Sequence, residues 1–481
     1  MTIRVRFAPS PTGNLHIGTL RVALFNWLFA KANNGKMILR IEDTDQLRSK
    51  KEYEENIYEG IEWLGLDCDE GPREGGECIF YRQSERIREG VYKKLAEDLV
   101  KKNLAYYCFL TDDDLQREKE SAKKKGIAYI HSRRSSEMTQ AEVQKSLDQG
   151  KAYAIRFKMT ENKLIKFKDL VRDEIEFDCS LLSDFVLLKS DGSPSYNFAV
   201  VVDDALMKIT HVIRGEDHIS NMPRQIALYE AMGFELPQFA HLPMILGPDK
   251  SKLSKRHGAT AITHYRDRGF MKQAFMNYLA LLGWSPKDEK ELLSSDELIT
   301  QFSLDRVHKS GAVFDIQKLL WMNGQYIRTY QDKELLDNVF SFISEENKNK
   351  LKQYSESKQY LAVNAVRDNL DVYSDINVYL DVFLESESSY LEMLSKCEFS
   401  DQENEVISLF LSLAKSENPV SSDEFSGLLS KVCDQLSLGK GKVFKPIRKA
   451  LTARNSGPMI TDLLEFFGKD IISKRFSSLL K

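Results

Sequence analysis

The residues best suited to chemistry lie near the start of the chain, in the stretch APSPTGNLHIGTL at residues 8–20. His16 follows two prolines and a glycine and stands at the predicted start of a long apolar helix. The first turn of a helix has unpaired N–H groups and a positive dipole end, which favour phosphate. Gly13 and Gly18 would allow a ligand to approach the backbone, and His16 could donate to a phosphate oxygen. Alone, such a histidine is more often a helix cap.

A second candidate segment lies far downstream, in DKSKLSKRHG at residues 249–258. Lys252, Lys255 and Arg256 surround two serines, and a glycine follows them. A charge run of this kind is usually a solvated surface loop. Considered with His16, its lysines could stabilise charge that moves from a nucleotide onto departing pyrophosphate. Together the two segments predict two parts of a phosphate-binding site.

Composition limits the class of protein. The 481 residues are 42% hydrophobic and 29% charged, with a net charge of −4, so we expect several globular domains and no overall basic field. The six cysteines are scattered without a CxxC pair, as is typical of reduced thiols in an intracellular protein. The chain starts without an apolar signal core, and no apolar run reaches membrane-spanning length. These features predict a soluble cytoplasmic protein.

The elements that must position His16 form a βαβ pattern. IRVRFA alternates as a strand, an apolar helix runs from about Thr19 to NNG, and KMILRIEDTD follows as a second strand. A strand, helix and strand in this order predict parallel pairing, and therefore an α/β fold with a doubly wound parallel sheet. Two further segments, KEYEENIYEGIEWLGLD and SERIREGVYKKLAEDLVKKNLAYY, have helical periodicity. Asp43 and Asp45 follow the second strand as either site residues or caps.

Changes in composition and in hydrophobic pattern divide the rest of the chain into segments. A charged stretch, followed by the short strand-like pieces AYAIRFKM and EIEFD, interrupts the sheet domain as an α/β insertion. The segment SDFVLLKSDGSPSYNFAVVVDDALMKITHVIRGEDH then has strand character, with SDGSPS as a hairpin turn. Beyond Thr329 the sequence is helical and lacks strand signals, which predicts an all-α module. The predicted boundaries are 1–110 and 186–240 for the two halves of the sheet domain, 111–185 for the insertion, 241–328 for a helical region with the KLSKR loop, and 329–481 for the helical tail.

HIGT and KLSKR resemble the HIGH and KMSKS signatures of class I aminoacyl-tRNA synthetases. Further motifs in the same order resemble the bacterial-type glutamyl-tRNA synthetases: RFAPSPTGNLHIGT, RIEDTD, WLGLDCDEGP, YRQSER, LLKSDGSPSYNFAVVVDDALM, THVIRGEDHISN and FDIQKLLWMNG. They cover the first two-thirds of the chain densely and the helical tail only loosely. Thr19, Leu253 and Arg256 depart from the class consensus in ways that suit this family, so we still expect activity.

The resemblance implies a Rossmann-type catalytic domain followed by an all-helical anticodon-binding region. The implied activity is that of an ATP-dependent glutamate–tRNA ligase, with ATP bringing Mg²⁺. The carboxylate of glutamate attacks the α-phosphorus to give glutamyl-adenylate and pyrophosphate, and a ribose hydroxyl of tRNA(Glu), typically the 2′-hydroxyl in this class, then takes the glutamyl group. Positioning and charge stabilisation would carry most of the rate. We expect a monomer.

The site residues are carried over from the matching motifs. An arginine can bind a carboxylate bidentately, whereas the neutral amide of glutamine loses that pairing, so Arg6 and Arg214 are interpreted as glutamate-binding rather than as structural ion pairs. The implied catalytic residues are His16, Lys252 and Lys255; the glutamate-binding residues are Arg6, Ala8, Ser10, Glu42, Tyr196 and Arg214; the ATP-binding residues are His16, Gly18, Asp217, Lys252 and Lys255.

Zinc and tRNA contacts are less directly encoded. Some relatives bind a structural zinc in the insertion through closely spaced cysteines with a further cysteine and histidine. Here YYCFLTDDD offers only Cys108 and YIHSRR only His131, so we predict no zinc and no other metal site. By resemblance, the insertion binds the acceptor end, the region near KLSKR meets the tRNA stem, and the tail reads the anticodon. A basic cluster in the tail is either a phosphate-binding face or a solvated surface: Lys440, Lys442, Lys445, Arg448, Lys449 and Arg454.

Several alternatives were weighed. A non-discriminating form that also glutamylates tRNA(Gln) stays open, since the deciding tail residues do not align clearly. The helical tail favours a glutamyl over a glutaminyl enzyme, whose tail is usually built from β-barrels, and its length argues against a truncated relative that modifies a tRNA base. A silent RNA-binding paralogue is disfavoured by the intact His16, Lys252, Lys255 and Arg214. Length and tail argue against a small-molecule nucleotidylyltransferase.

Overall fold

The computed structural model of the chain describes residues 2–126, 129–160, 164–179, 182–258, 261–330 and 332–479, without the side chains of Lys255 and Asp332. It has two compact units. One comprises Met1–His264 and Phe275–Asp315, and the other comprises Tyr265–Ala274 and Ile316–Lys481. None of the described helices combines the length and apolar character needed to cross a membrane. Elements are numbered below in chain order.

The βαβ unit predicted around His16 is confirmed. Strand β1 (Arg4–Phe7) pairs in parallel with β2 (Lys36–Leu39), and helix α1 (Ile17–Ala32) connects them. Most of α1 is buried, as its nearly continuous apolar sequence predicts. The carboxyl end of β1 and the amino end of α1 therefore lie together at the loop that contains His16.

The remaining elements up to residue 315 are a mixture of helices and strands, and two of the helices, Ile262–Arg268 and Lys272–Leu281, include residues of both units. They are α2 (Lys51–Leu64), α3 (Gln83–Arg88), α4 (Val91–Lys101), β3 (Ala105–Cys108), α5 (Asp112–Lys124), α6 (Gln140–Asp148), β4 (Ala154–Phe157), β5 (Leu164–Asp169), β6 (Asp173–Asp178), β7 (Phe185–Leu188), α7 (Tyr196–Leu206), β8 (His211–Gly215), α8 (Met222–Met232), β9 (Gln238–Leu242), β10 (Ile245–Leu246), α9 (Ile262–Arg268), α10 (Lys272–Leu281), α11 (Ser295–Gln301) and β11 (Ala312–Val313).

One of the sheets combines strands of the predicted insertion with later strands of the same unit. Strands β8 and β9 are parallel, and β5 joins the other side of β9 through the pair Asp169 and Phe239. The strand order of this sheet is β6-β5-β9-β8, with β5 and β6 antiparallel. Strands β3, β4 and β7 form a separate antiparallel sheet, and β10 and β11 form a short parallel pair. The fold class, an α/β catalytic region with parallel strands, is confirmed.

One sequence-based prediction is wrong. The apolar run after SDGSPS was interpreted as a strand, whereas it forms helix α7. Its β-branched valines are buried, and a short fully buried run cannot be assigned to helix or strand by periodicity. The turn itself forms as predicted: the amide of Lys189 donates to the carbonyl of Ser193, and Gly192 has a φ of +84°. The chain then runs back along β7 for a single bridge, between Leu188 and Pro194, before the helix begins.

Gly35 allows β1 and β2 to start side by side. A Cβ placed on Gly35 would lie 2.7 Å from the carbonyl oxygen of Ile3, and the amide of Lys36 donates to that oxygen. We expect Gly35→Ala to lower the free energy of unfolding by about 1–3 kcal/mol through overpacking, measured by denaturant titration. The control is Gly427→Ala, where a methyl group meets open space on a helix and should not destabilise the chain. An unchanged transition in the Gly35 variant would contradict this account.

The second unit consists of helices and the loops between them, with no strand among its described residues, as predicted for the tail. Serine caps with a glutamate three residues later start two of its longer helices, which explains where they begin: Ser400 with Glu403 and Ser421 with Glu424. Its helices are α12 (Ile316–Ile327), α13 (Asp332–Val339), α14 (Glu345–Leu351), α15 (Glu356–Ala365), α16 (Ile376–Leu384), α17 (Glu387–Leu394), α18 (Asp401–Glu417), α19 (Ser422–Leu436), α20 (Lys440–Thr452) and α21 (Ile460–Leu479).

Candidate functional site

A cavity of about 810 Å³ opens in the first unit at the carboxyl ends of β1 and β8. In open α/β sheets this is the edge where ligands bind. Its walls include every predicted site residue whose side chain is described: Arg6, Ala8, Ser10, His16, Gly18, Glu42, Tyr196, Arg214, Asp217 and Lys252. The side chain of Lys255 lies outside the described part of the chain.

His16 caps helix α1 and faces the cavity. Its Nδ1 accepts from the backbone N–H of Thr19 at 3.3 Å, and its Nε2 lies 3.0 Å from the hydroxyl of Thr19. Burial and the nearby Lys252 lower the pKa of His16, so the ring is a neutral donor at Nε2. A Cβ on Gly18 would lie 3.1 Å from the ring, so a larger residue there would press against the histidine. The capping and ligand-binding interpretations of His16 are therefore compatible.

Lys252 and Asp217 face each other across the opening of the cavity. The Nζ of Lys252 lies 3.0 Å from Oδ2 of Asp217, and both side chains are partly exposed. Burial acts to raise the pKa of Asp217, yet the hydrogen bond from Lys252 brings it below its usual range. A lysine on an exposed loop, held by one weak ion pair, can move to a phosphate at little cost.

Arg214 is buried at the inner wall and forms no ion pair with any described residue. Its Nε donates to His241 at 3.2 Å and its Nη2 to Gln225 at 2.8 Å. Its Nη1 is buried and has no hydrogen-bond partner among the described residues. Burial lowers the pKa of Arg214, but a guanidinium keeps its charge at neutral pH. An unneutralised buried cation in a cavity wall is a binding position for a carboxylate.

Arg6 and Glu42 belong to a buried network of alternating charge. Nε of Arg6 and Nη1 of Arg40 both donate to Oδ1 of Asp204, at 3.1 and 2.5 Å. The other end of Arg40 donates to Oε1 of Glu42 at 2.9 Å. Burial acts to raise the pKa of Asp204, but Arg6 and Arg40 hold it below its usual range. Glu42 keeps a raised pKa from burial despite Arg40. The network fixes a cation and a carboxylate in the same cavity wall.

Tyr196 lies at the start of α7 and stacks on His218. The ring centroids are 5.4 Å apart and the tyrosine hydroxyl lies 3.1 Å from Nδ1 of His218. Burial, helped by Arg214, lowers the pKa of His218 to about 4, so this ring is neutral. Both side chains line the cavity, and the pair is positioned to orient a polar ligand group.

Sequence reasoning missed several residues of this site. His218 and Arg21 line the cavity, and Asp204, Arg40 and His241 support it from behind. Arg21 is buried and donates to the backbone carbonyls of Leu282 and Pro243. Two acids that end the apolar run VVVDD were a usable signal for Asp204, since buried carboxylates need cationic partners. Nothing in the sequence marked His241.

The other charged candidates, two acids after β2 and the basic cluster of the tail, differ in their contacts. Asp43 binds the backbone and hydroxyl of Ser84, and Asp45 binds Arg48, so these acids act as local caps outside the cavity lining. The basic cluster of the tail is divided. Arg448, Lys449 and Arg454 bind groups of their own unit, whereas three lysines of α20 are exposed: Lys440, Lys442 and Lys445.

In the insertion, Cys108 and His131 lie side by side, with Sγ and Nε2 3.6 Å apart. The Nδ1 of His131 lies 3.1 Å from the hydroxyl of Tyr106, which also donates to Asp184. Asp184 pairs in turn with Arg133 at 2.7 Å. Within the described residues, no three or more His, Cys, Asp or Glu side chains are grouped as a metal site. The donor set does not fit zinc, which in structural sites takes four ligands.

Comparisons with known proteins agree with this geometry. The family model "tRNA synthetases class I (E and Q), catalytic domain" matches residues 2–321, and "Anticodon binding domain" matches residues 331–480. The chain is 42% identical to a glutamate–tRNA ligase of Natranaerobius thermophilus over 99% of its own length and 98% of that protein. It is 44% identical to one of Aquifex aeolicus over 100% and 99%.

Solved structures give the same result. A glutamate–tRNA ligase from Elizabethkingia meningosepticum, in complex with its amino acid, superposes with a TM-score of 0.89 at 36% identity, covering 100% of this chain and 99% of that one. The glutamate–tRNA synthetase of Elizabethkingia anophelis superposes with a TM-score of 0.86 at 35% identity, covering 100% of both chains. Sequence, fold and cavity thus lead to one conclusion: the chain belongs to the glutamate–tRNA ligases, within the class I tRNA synthetases.

Proposed function

We propose that the chain is an ATP-dependent ligase that activates L-glutamate as glutamyl-adenylate and transfers it to the 3′-terminal ribose of tRNA(Glu). The observation that carries this proposal is the buried Arg214, whose Nη1 has no partner among the described residues and which lines the cavity. A ligand with a carboxylate side chain supplies the missing counter-charge, whereas a neutral amide does not.

The rest of the cavity supports an amino acid beside a nucleotide. Arg6 shares the wall with Arg214 and assists in holding the side-chain carboxylate, and Glu42 accepts from the α-ammonium group. Tyr196, Ser10 and Ala8 complete the glutamate pocket, and Gly18 and Asp217 contact ATP. A volume of about 810 Å³ lies within the range of cavities that hold ligands of this size.

The chemistry of the first step requires charge stabilisation more than proton transfer. A glutamate α-carboxylate oxygen bonds to the α-phosphorus of ATP, and the bond from that phosphorus to the bridging oxygen of pyrophosphate breaks. His16 donates from Nε2 to a phosphate oxygen, while Lys252 and Lys255 neutralise the charge that gathers on pyrophosphate. Lys252 leaves Asp217 to do so. Mg²⁺ enters with ATP as part of the substrate.

The transfer step places tRNA on both units. We propose that the insertion at 111–185 holds the acceptor end, that the region 241–328 meets the stem, and that the tail at 329–481 reads the anticodon. Support for the last assignment comes from the three exposed lysines of α20, Lys440, Lys442 and Lys445, which can contact phosphates. A hydroxyl of the terminal ribose attacks the glutamyl carbonyl, and AMP leaves.

Three further properties belong to this proposal. The insertion works without zinc, because Tyr106, Asp184 and Arg133 satisfy the polar groups around Cys108 and His131. The protein acts as a monomer. It acts in the cytoplasm, where ATP and tRNA are available, and its six free cysteines suit a reducing compartment.

Glutamate-dependent ATP–pyrophosphate exchange tests the proposal. With tRNA(Glu) present, we expect exchange with glutamate. With glutamine at equal concentration, the rate should be lower by a factor of roughly 10³ or more, because glutamine leaves Arg214 unpaired. The assay is repeated without tRNA. Absence of glutamate-dependent exchange even with cognate tRNA would contradict the proposal.

Aminoacylation of separate tRNA(Glu) and tRNA(Gln) transcripts then defines the nucleic-acid substrate. Charging of tRNA(Glu) alone is the expected result. Glutamylation of both transcripts at similar kcat/KM would instead identify the non-discriminating form, and it would leave the assigned amino-acid chemistry intact.

A further inference from the structure

Two buried residues stand behind Arg214, on the side away from the cavity. His241 lies on β9 and is fully buried, and Asp169 ends β5 and is 1% exposed. Nε of Arg214 donates to Nε2 of His241 at 3.2 Å, and Nδ1 of His241 lies 2.6 Å from Oδ2 of Asp169. The three side chains therefore form one hydrogen-bonded row that ends at the cavity wall.

The row determines which nitrogen of His241 carries the proton. Because Arg214 can only donate, Nε2 of His241 must accept and hold no proton. The single proton of the neutral ring then lies on Nδ1 and is donated to Asp169. Burial lowers the pKa of His241, with Arg214 acting in the same direction, so the ring stays neutral beside the carboxylate.

Asp169 is itself fixed by the backbone. Its Oδ1 accepts from the amides of Val171, Arg172 and His241, at 3.0, 2.9 and 3.2 Å. Oδ2 is consequently aimed at the histidine ring and has no freedom to exchange places with Oδ1. The two oxygens have separate tasks, and that separation makes an isosteric amide at this position informative.

Arg214 is held at two of its three nitrogens. Nε binds His241, Nη2 binds Gln225 at 2.8 Å, and Nη1 alone is left for a ligand. Gln225 is oriented in turn by its own bond to Asn197 at 3.0 Å. A guanidinium fixed in this way presents one edge to the substrate, and its orientation depends on the acceptor at Nε.

We propose that Asp169 and His241 are positioning residues that determine selectivity for glutamate, by holding Arg214 in the orientation that receives the substrate carboxylate. This inference rests on the proposed function. It makes the insertion part of amino-acid recognition, since Asp169 belongs to β5 and meets β9 at Phe239. Arg214 on the catalytic sheet is thus oriented by a residue of the segment predicted to bind tRNA.

The decisive variant is Asp169→Asn. With Oδ1 still bound to three amides, the asparagine NH₂ group faces Nδ1 of His241 and donates to it. The histidine proton then moves to Nε2, where it opposes the Nε–H of Arg214. We expect the KM for glutamate to rise roughly 10- to 100-fold in pyrophosphate exchange, with the KM for ATP within about twofold of the wild type. Selectivity against glutamine falls in the same proportion.

His241→Gln is the conservative partner. Its amide oxygen can occupy the Nε2 position and accept from Arg214, so we expect a smaller rise in glutamate KM than in His241→Leu, which removes the acceptor. Asp173→Asn is the matched control, because Asp173 is exposed, contacts Lys309 and lies outside the row. Asparagine also tolerates the φ of +63° at that position.

A spectroscopic readout separates positioning from a purely structural role. The chain has eight histidines, and ¹⁵N-histidine labelling with long-range ¹H–¹⁵N correlation distinguishes the two neutral tautomers. The signal lost in His241→Gln identifies His241. The wild type should show a proton on Nδ1 and Asp169→Asn a proton on Nε2.

A wild-type glutamate KM in Asp169→Asn, an unchanged tautomer, or equal rises in the KM values of glutamate and ATP would each overturn the inference. If Asp169→Asn does not fold, the comparison of His241→Gln with His241→Leu decides in its place. A wild-type protein without glutamate-dependent exchange would instead contradict the proposed function.

Discussion

Glutamate-dependent pyrophosphate exchange should fall roughly 10²- to 10⁴-fold in kcat/KM when Arg214 is replaced by methionine. Methionine fills a similar space but removes the cation that pairs with the substrate carboxylate, and breaking a buried pair costs about 3–5 kcal/mol. The loss should appear chiefly in the KM for glutamate, since the interaction is already present in the bound substrate. Steady-state exchange over a wide range of glutamate concentration measures it.

Two further variants test whether the effect is specific to the charge and shape of Arg214. Arg214→Lys keeps the charge but not the planar fork, so its activity should lie between the wild type and the methionine variant. Arg73→Met removes a surface arginine that pairs with Glu55 and Glu62, and it should leave exchange unchanged. Equal activity of Arg214→Met and Arg73→Met would remove the basis for glutamate recognition proposed here.

Lys255→Ala should reduce kcat for adenylate formation by roughly 10²- to 10³-fold while the dissociation constant for glutamate stays within about twofold. The lysine is assigned to charge that develops on pyrophosphate only as the phosphorus–oxygen bond breaks, so its removal affects the transition state more than the ground state. Single-turnover kinetics gives the chemical rate, and equilibrium titration gives the glutamate affinity.

A control for this variant is Lys94→Ala, which removes an exposed lysine on α4 away from the cavity and should change neither quantity. Should Lys255→Ala weaken glutamate binding as much as it slows the reaction, the KLSKR loop would serve to hold substrate and not to stabilise departing pyrophosphate.

The motif-bearing parts of the molecule could be predicted because their physical signals are local. The breakers before His16, the apolar run of α1 and the strand that follows specify a βαβ unit within about forty residues, and the structure confirms it. Helical texture and missing strand signals likewise predicted the helical tail, and the structure adds the serine caps that start two of its helices. That HIGT and KLSKR belong to one site was predicted from the family resemblance.

What stayed hidden depends on contacts that no local pattern reports. His241 and Asp169 are far apart in sequence, and each alone resembles an ordinary polar residue in a short strand. The pairing of β5 with β9 brings the two residues into contact. Helix α7 was misassigned for a related reason, because burial on all sides removes the periodicity that distinguishes helix from strand.

Arg21 links the two sequence motifs of the cavity to each other in the absence of any ligand. Burial lowers its pKa to about 10, so it is still a cation at neutral pH, and it binds the carbonyls of Pro243 and Leu282 from within α1. The helix that begins after His16 is thereby tied to the chain that leads into the KLSKR loop. The helix start at His16 and the KLSKR loop, which we propose bind ATP together, are therefore connected through this buried arginine. Much of the entropic cost of bringing the two motifs together is therefore met when the protein folds, before any ligand binds.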